Sequence, residues 1–194
     1  MLESLPGLRL AGPEDAARLA DLGARTFQET FAGVNTPEDM RDYLRGAFSP
    51  EIQAAEIAQP GSQFLILERD GEAVGYARLL AGSTDPALQA SDAWRDLRPV
   101  EISRVYLLQG LTGQRLGDVL MQGCIDLALQ QGAEMAWLGV WEHNPRAVRF
   151  YRRWGFEPVG QHVFQLGSDA QTDLILARRL SYTDSFSAAK TSAA

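Results

Sequence analysis

Cysteine is almost missing: Cys124 stands alone in 194 residues, so no intramolecular disulfide forms and no secretory framework is implied. No apolar run approaches the ~20 residues of a membrane span, so no membrane partner is expected. A basic stretch followed by an apolar one, the mark of a signal peptide, is absent from the N-terminal segment. The cytoplasm is the expected compartment. Positive charge is also short, with 18 Lys and Arg against 25 Asp and Glu, a formal net charge of −7 and a pI near 4.9. Phosphate backbones need a basic face, which argues against nucleic acid as the main partner. The acidity suits a cationic substrate, and equally plain solubility. The chain carries neither a P-loop with its Gly-Lys-Ser/Thr nor a Gly-x-Gly-x-x-Gly dinucleotide fingerprint. No internal repeat is visible.

What is there describes an ordinary globular domain, with 45% hydrophobic and 22% charged residues, enough for a real core. Leu8–Ala11 predicts a short strand. Pro13-Glu-Asp15 opens a helix whose apolar face is Ala16, Leu19, Ala20, Leu22, Gly23, Phe27 and Phe31. Thr36-Pro37 and Ser49-Pro50 each start a further short helix, because a hydroxyl caps the first turn and proline suits its first position. Gln63–Arg69 and Glu72–Leu79 form a hairpin about Asp70-Gly71. Residues 81–98 predict a long loop with a helical turn in it, a kind of segment that is often functional. Val100–Leu108 alternates as a strand, Gly117–Gln131 is helical, and Met135–Trp141 is apolar throughout, as for a strand covered on both faces. Asn144-Pro145 opens a helix that ends at Gly155. Phe156–Leu166 and Thr172–Leu180 predict two strands joined by residues 167–171. The fold class is α/β, one domain over residues 1–180, a mixed sheet with helices on both faces. Residues 181–194, rich in Ser, Ala and Thr, predict a disordered tail.

The most specific signal lies between residues 101 and 156. A strand runs into Thr112-Gly113-Gln114-Arg115-Leu116-Gly117, which opens a helix; backbone N–H groups at a helix N-terminus form an anion cradle. There follow Trp137-Leu-Gly-Val-Trp-Glu-x-Asn144-x-x-Ala147-x-x-Phe150-Tyr151-x-x-x-Gly155-Phe156. This run closely resembles the GNAT superfamily of acyl-CoA N-acyltransferases. The segments Phe31–Leu44, Glu101–Leu107, Gly160–His162 and Asp169–Leu174 are similar to those of its PaiA-type subgroup, linked to spermidine and spermine N-acetylation. The resemblance covers about residues 26–180. It implies a mostly antiparallel sheet of about seven strands.

The resemblance further implies acetyl-CoA as co-substrate, with Val105, Tyr106 and Leu107 along the pantetheine. Thr112, Gly113, Gln114, Arg115, Leu116, Gly117 and Asp118 would surround the pyrophosphate. Asn144, with Ala147 and Phe150 on the same helix, would bind the pantetheine arm, and Tyr151 would sit near the thioester sulfur. The loop departs from the family pattern, since Arg115 stands at the first glycine and Asp118 adds negative charge near the phosphates. Phe27, Phe31, Asn35, Tyr43 and His162 are expected to wall the acceptor site.

The chemistry sets its own requirements. A primary amine has a pKa near 10 and must lose a proton before it attacks a thioester. Glu101, on the strand eleven residues ahead of Thr112, is the candidate base, since the resemblance implies a base glutamate at that spacing in some family members; Tyr151 is the candidate proton donor to the departing thiolate. No metal is required. The expected acceptor is a small amine, with polyamine favoured, acetylated by direct attack in a ternary complex. Three alternatives stay open. They are a protein N-terminal or lysine acetyltransferase, an enzyme for another small amine, and a coenzyme-sensing regulator with weak catalysis. A homodimer is compatible with the resemblance. Cys124, Trp137, Trp141 and Trp154 are expected in the core, His143 in solvent, and Glu29, Glu38 and Asp39 on solvated helix surfaces.

Overall fold

The structure, a computed structural model, describes residues 5–111, 113–181 and 183–184. Its strands are β1 (Leu8–Leu10), β2 (Ser62–Arg69), β3 (Glu72–Ala81), β4 (Pro99–Leu107), β5 (Met135–Trp141), β6 (Glu157–Leu166) and β7 (Asp169–Arg179). They form one sheet in the order β1-β2-β3-β4-β5-β7-β6. Every neighbouring pair is antiparallel except β4 and β5, which run parallel. The helices are α1 (Ala16–Phe31), α2 (Pro37–Ala47), α3 (Pro50–Ala58), α4 (Pro86–Gln89), α5 (Leu116–Gln130) and α6 (Pro145–Arg153). Among the described residues, no helix is long and apolar enough to cross a membrane.

Side-chain alternation divides the sheet into two faces. Val100, Ile102, Val105 and Leu107 of β4 face α5, as do Ala136, Leu138 and Val140 of β5. A bulge at Ser103, which has no partner in β3, lets residues 102 and 105 share this face although they are three apart. The α5 residues Leu120, Met121, Cys124, Ile125, Leu127 and Ala128 are buried against it. Each Leu-sized side chain so buried stabilises the fold by ~1.5–3 kcal/mol, which outweighs the poor helix propensity of Gly117 and Gly123. On the opposite face Leu19 and Leu22 of α1 pack on Phe64, Ile66 and Tyr76. Helices therefore cover both faces.

Local chemistry starts most helices in the same way. Thr36, Ser49, Asp85 and Asn144 accept hydrogen bonds from Asp39, Ile52, Ala87 and Ala147 N–H, and proline follows each of them. The long loop after β3 contains α4, a single helical turn. The β6–β7 connection is shorter than residues 167–171. Leu166 pairs with Asp169, leaving a two-residue turn at Gly167-Ser168. Gly167 has φ +59°, and Asp39 of α2 accepts from both Ser168 N–H and its hydroxyl. A partner 129 residues away holds this turn, so local sequence does not announce it. Residues 185–194 of the expected tail lie outside the described residues. Ahead of them, Asp184 is ion-paired with Arg178 at 2.7 Å.

Candidate active site

The parallel pairing of β4 with β5 covers only Pro99, Val100 and Glu101 opposite Met135, Ala136 and Trp137. Beyond Glu101 the two strands part and leave an opening inside the sheet. Val105, Tyr106 and Leu107 are bonded to β3 on one side, at Ala77, Tyr76 and Gly75. Their other edge faces the opening. Buried main-chain groups need partners, so this edge suits an extended ligand that bonds as a strand would.

The helix α5 begins beside this edge. Its N-cap, Arg115, makes no side-chain cap and lies in the left-handed region at φ +62°. That conformation is why glycine serves best here, and Arg115 holds it under strain. Among the described residues, the first N–H bonded at this end is that of Asp118, to Arg115 O, and Gly117 ahead of it lines the adjoining cleft. A cleft of about 1180 Å³ adjoins, lined in part by Gly113, Gly117 and the cations Arg115, Arg146, Arg149 and Arg153. An uncapped helix start amid guanidinium groups fits a pyrophosphate. Asp118 does not oppose this, because its carboxylate accepts from Arg153 at 2.9 Å and Trp154 Nε1 at 3.0 Å. Gln114 accepts from Arg69, and Thr112 lies outside the described residues. Asn144 uses its Oδ1 to cap α6 at 3.1 Å, leaving its amide N–H groups for a ligand. Ala147 and Phe150 pack against the core.

Tyr151 projects from α6 into the same core, with its ring 5.4 Å from Phe150 and 6.1 Å from Phe156. Burial pushes its hydroxyl well above the ordinary range, so it keeps its proton at neutral pH. Tyr106 is close enough to feel the Tyr151 hydroxyl. Glu101 sits at the closed end of the opening, in register with Trp137. Its Oε2 accepts from Ser83 Oγ at 2.6 Å, while Ser83 O accepts from Trp137 Nε1 at 2.8 Å. The long loop thus fixes both residues. Nearby, Glu56 of α3 is paired with Arg78 and Arg104, which fastens α3 to β3 and β4.

The expected acceptor residues gather on the α1–α2 side, though in unequal roles. Phe27 is only 2% exposed. It forms the floor, stacked on Tyr43 at 4.4 Å and beside Phe31 at 4.5 Å. Asn35 donates to Phe31 O and accepts from Gln171. His162 Nδ1 lies 3.0 Å from Oδ2 of the buried Asp85. Of the helix acids, Glu29 bonds Gln109 N–H and Arg25, and Asp39 is committed to Thr36 and Ser168. Cys124 is buried, His143 exposed.

Two residues here differ from the sequence reading, in which Trp141 is expected in the core and Asp173 has no assigned role. Trp141, expected in the core, is half-buried, with its ring 6.2 Å from Phe31 and 5.5 Å from His143. Asp173 of β7 stands in register between Trp141 and His162. Burial raises its carboxyl to about 6. The signal for it was period two: Asp173 shares a face with the buried Ile175 and Ala177, an unusual inward position for a carboxylate.

Comparisons with known proteins agree with this geometry. Residues 27–156 match the acetyltransferase (GNAT) family. An uncharacterized N-acetyltransferase from Lactobacillus delbrueckii subsp. lactis is 35% identical over 86% of this chain and 93% of its own length. One from Mycobacterium tuberculosis is 34% identical over 86% and 98%. Among solved structures, the PaiA N-acetyltransferase of Thermoplasma acidophilum in complex with coenzyme A superimposes with a TM-score of 0.68. It has 20% identity and covers 89% of this chain and 97% of that one. At that identity the likeness concerns the fold.

Proposed function

Because the chain belongs to the acetyltransferase (GNAT) family and is an acetyl-CoA-dependent N-acetyltransferase, we propose that its acceptor is a small primary amine, with polyamine favoured, acetylated by direct attack in a ternary complex. The observation that carries this reading is the opening between β4 and β5, with Glu101 at its closed end and a half-buried Tyr151 on its α6 side.

Bound acetyl-CoA supplies an acyl group activated as a thioester. The residues fit it: the unpaired edge of Val105–Leu107 suits the pantetheine amides, and the start of α5 with Arg115 suits the pyrophosphate. Glu101, oriented by Ser83, takes a proton from the acceptor ammonium directly or through water. The freed nitrogen forms the C–N bond as the C–S bond breaks. Tyr151 gives its proton to the departing sulfur and regains one from solvent, while Glu101 releases the proton it took and the second amine proton leaves to solvent. The balance is one ammonium and one thioester to one amide, one thiol and one proton. Polyamine is supported by the subgroup resemblance and by the half-buried carboxylates among aromatic rings on the acceptor side. The pairing of Asp118 with Arg153 removes one motive for a weak, coenzyme-sensing regulator.

Acetyl-CoA turnover over a panel of polyamines, amino acids, aminoglycosides and peptides tests the reading. Spermidine acetylated with a sub-millimolar KM supports it. Turnover confined to peptides, or coenzyme binding without turnover, refutes it.

A further inference from the structure

Asp173 is a half-buried carboxylate, and the charged neighbour it feels is the His162 ring. Among the described residues, no donor bonds it. His162, its neighbour in β6, turns Nδ1 to Asp85, a residue 5% exposed that also caps α4 through its other oxygen. That bond leaves His162 Nε2 directed over β5. Residue 139 beneath is glycine, and its missing Cβ is what lets both side chains come this close to the strand. A Cβ there would come within 3.3 Å of both Asp173 Oδ2 and His162 Nε2. Gly139 is exposed, so a ligand can reach this spot. Trp141 and Phe31 stand beside it, and the Tyr43 hydroxyl feels the Asp173 charge. A desolvated carboxylate without a partner is costly. An organic ammonium offsets that cost, and aromatic faces add attraction.

We propose that Asp173 anchors the far ammonium of a dicationic acceptor whose near amine reacts beside Glu101. Two register positions define the span: Glu101 lies opposite Trp137 and Asp173 opposite Trp141. Four residues of β5 separate them, about 13 Å at ~3.3 Å per residue. Side chains shorten the gap, yet ethylenediamine cannot bridge it and a longer flexible diamine can. The inference rests on the amine-acetylating reading above and adds to it the class of amine.

The test is steady-state kinetics of the full-length protein on a series of linear diamines, from ethylenediamine to octamethylenediamine, with butylamine as reference. Wild type should prefer the longer diamines to butylamine by about ten- to hundredfold in kcat/KM, the range for a charged hydrogen bond. Asp173→Asn should bring that ratio close to one, mainly through KM, and Asp173→Glu should restore part of it. Gly139→Ala, which puts a methyl against Asp173 Oδ2 and His162 Nε2, should raise KM for diamines. Acetyl-CoA binding by calorimetry checks that each variant is folded. A length preference that survives in both Asp173→Asn and Gly139→Ala overturns the anchor alone. A wild type that acetylates none of these amines overturns the amine reading with it.

Discussion

Replacing Asp173 by asparagine removes a carboxyl that burial lifts from its ordinary 3.8 to about 6. The folded protein then holds a proton more tightly than the unfolded chain does. The stability linked to that proton is full below pH 3.8 and is lost as pH rises through about 6. At neutral pH the wild type therefore carries a half-buried charge that opposes folding. A shift from 3.8 to about 6 corresponds to ~3 kcal/mol at full burial. Water reaches one side of this half-buried group, and screening reduces the effect to ~1–2 kcal/mol. Asparagine has nearly the same shape and does not ionise, so the variant should escape this loss. Melting temperatures from pH 3 to pH 8 are the assay. The two proteins should melt together at the acid end, and by pH 8 the variant should melt roughly 2–8 °C higher, given ~2–4 °C per kcal/mol for a domain of this size. Parallel curves across the whole range, or a variant less stable at pH 8, would refute an uncompensated carboxylate at this position.

Tyr151→Phe should lower kcat by about 10²-fold or more, as loss of a general acid does, while acetyl-CoA affinity measured by calorimetry stays unchanged; an unaltered kcat removes Tyr151 as the proton donor. Glu101→Gln should move the rise of kcat with pH to higher pH, because the acceptor must then arrive already deprotonated, and a superimposable pH–rate profile sinks its role as base. Arg115→Gly should stabilise the protein by ~0.5–1 kcal/mol, since relief of a left-handed non-glycine residue slightly exceeds the added freedom of the unfolded chain. A thermal melt that does not move, or moves down, counts against strain at the start of α5.

Much of the fold could be read locally. The pairs Thr36-Pro37, Ser49-Pro50 and Asn144-Pro145 start helices through bonds only three residues long. Asp70-Gly71 closes the β2–β3 hairpin with both residues at positive φ. Alternation in β4 and helical spacing in α5 marked the residues that became the core. The departure of Arg115 from the family's glycine was visible in the sequence, but only the observed φ explains why glycine is favoured there.

The acceptor side was far less legible. Its contacts join residues distant along the chain: Ser83 to Glu101, His162 to Asp85 and Gln171 to Asn35, the last 136 positions apart. Asp118 was read as a charge unfavourable to phosphate until Arg153 was seen to neutralise it. What the sequence determined alone was the element order, the buried faces and the family motif, because caps, turns and periodicity act between near neighbours. Only the tertiary structure decided where β4 and β5 part, and which acceptor-side carboxylate is left without a hydrogen-bond donor among the described residues. Those outcomes depend on how seven strands and their covering helices share one sheet, and on which polar groups find partners once they are packed.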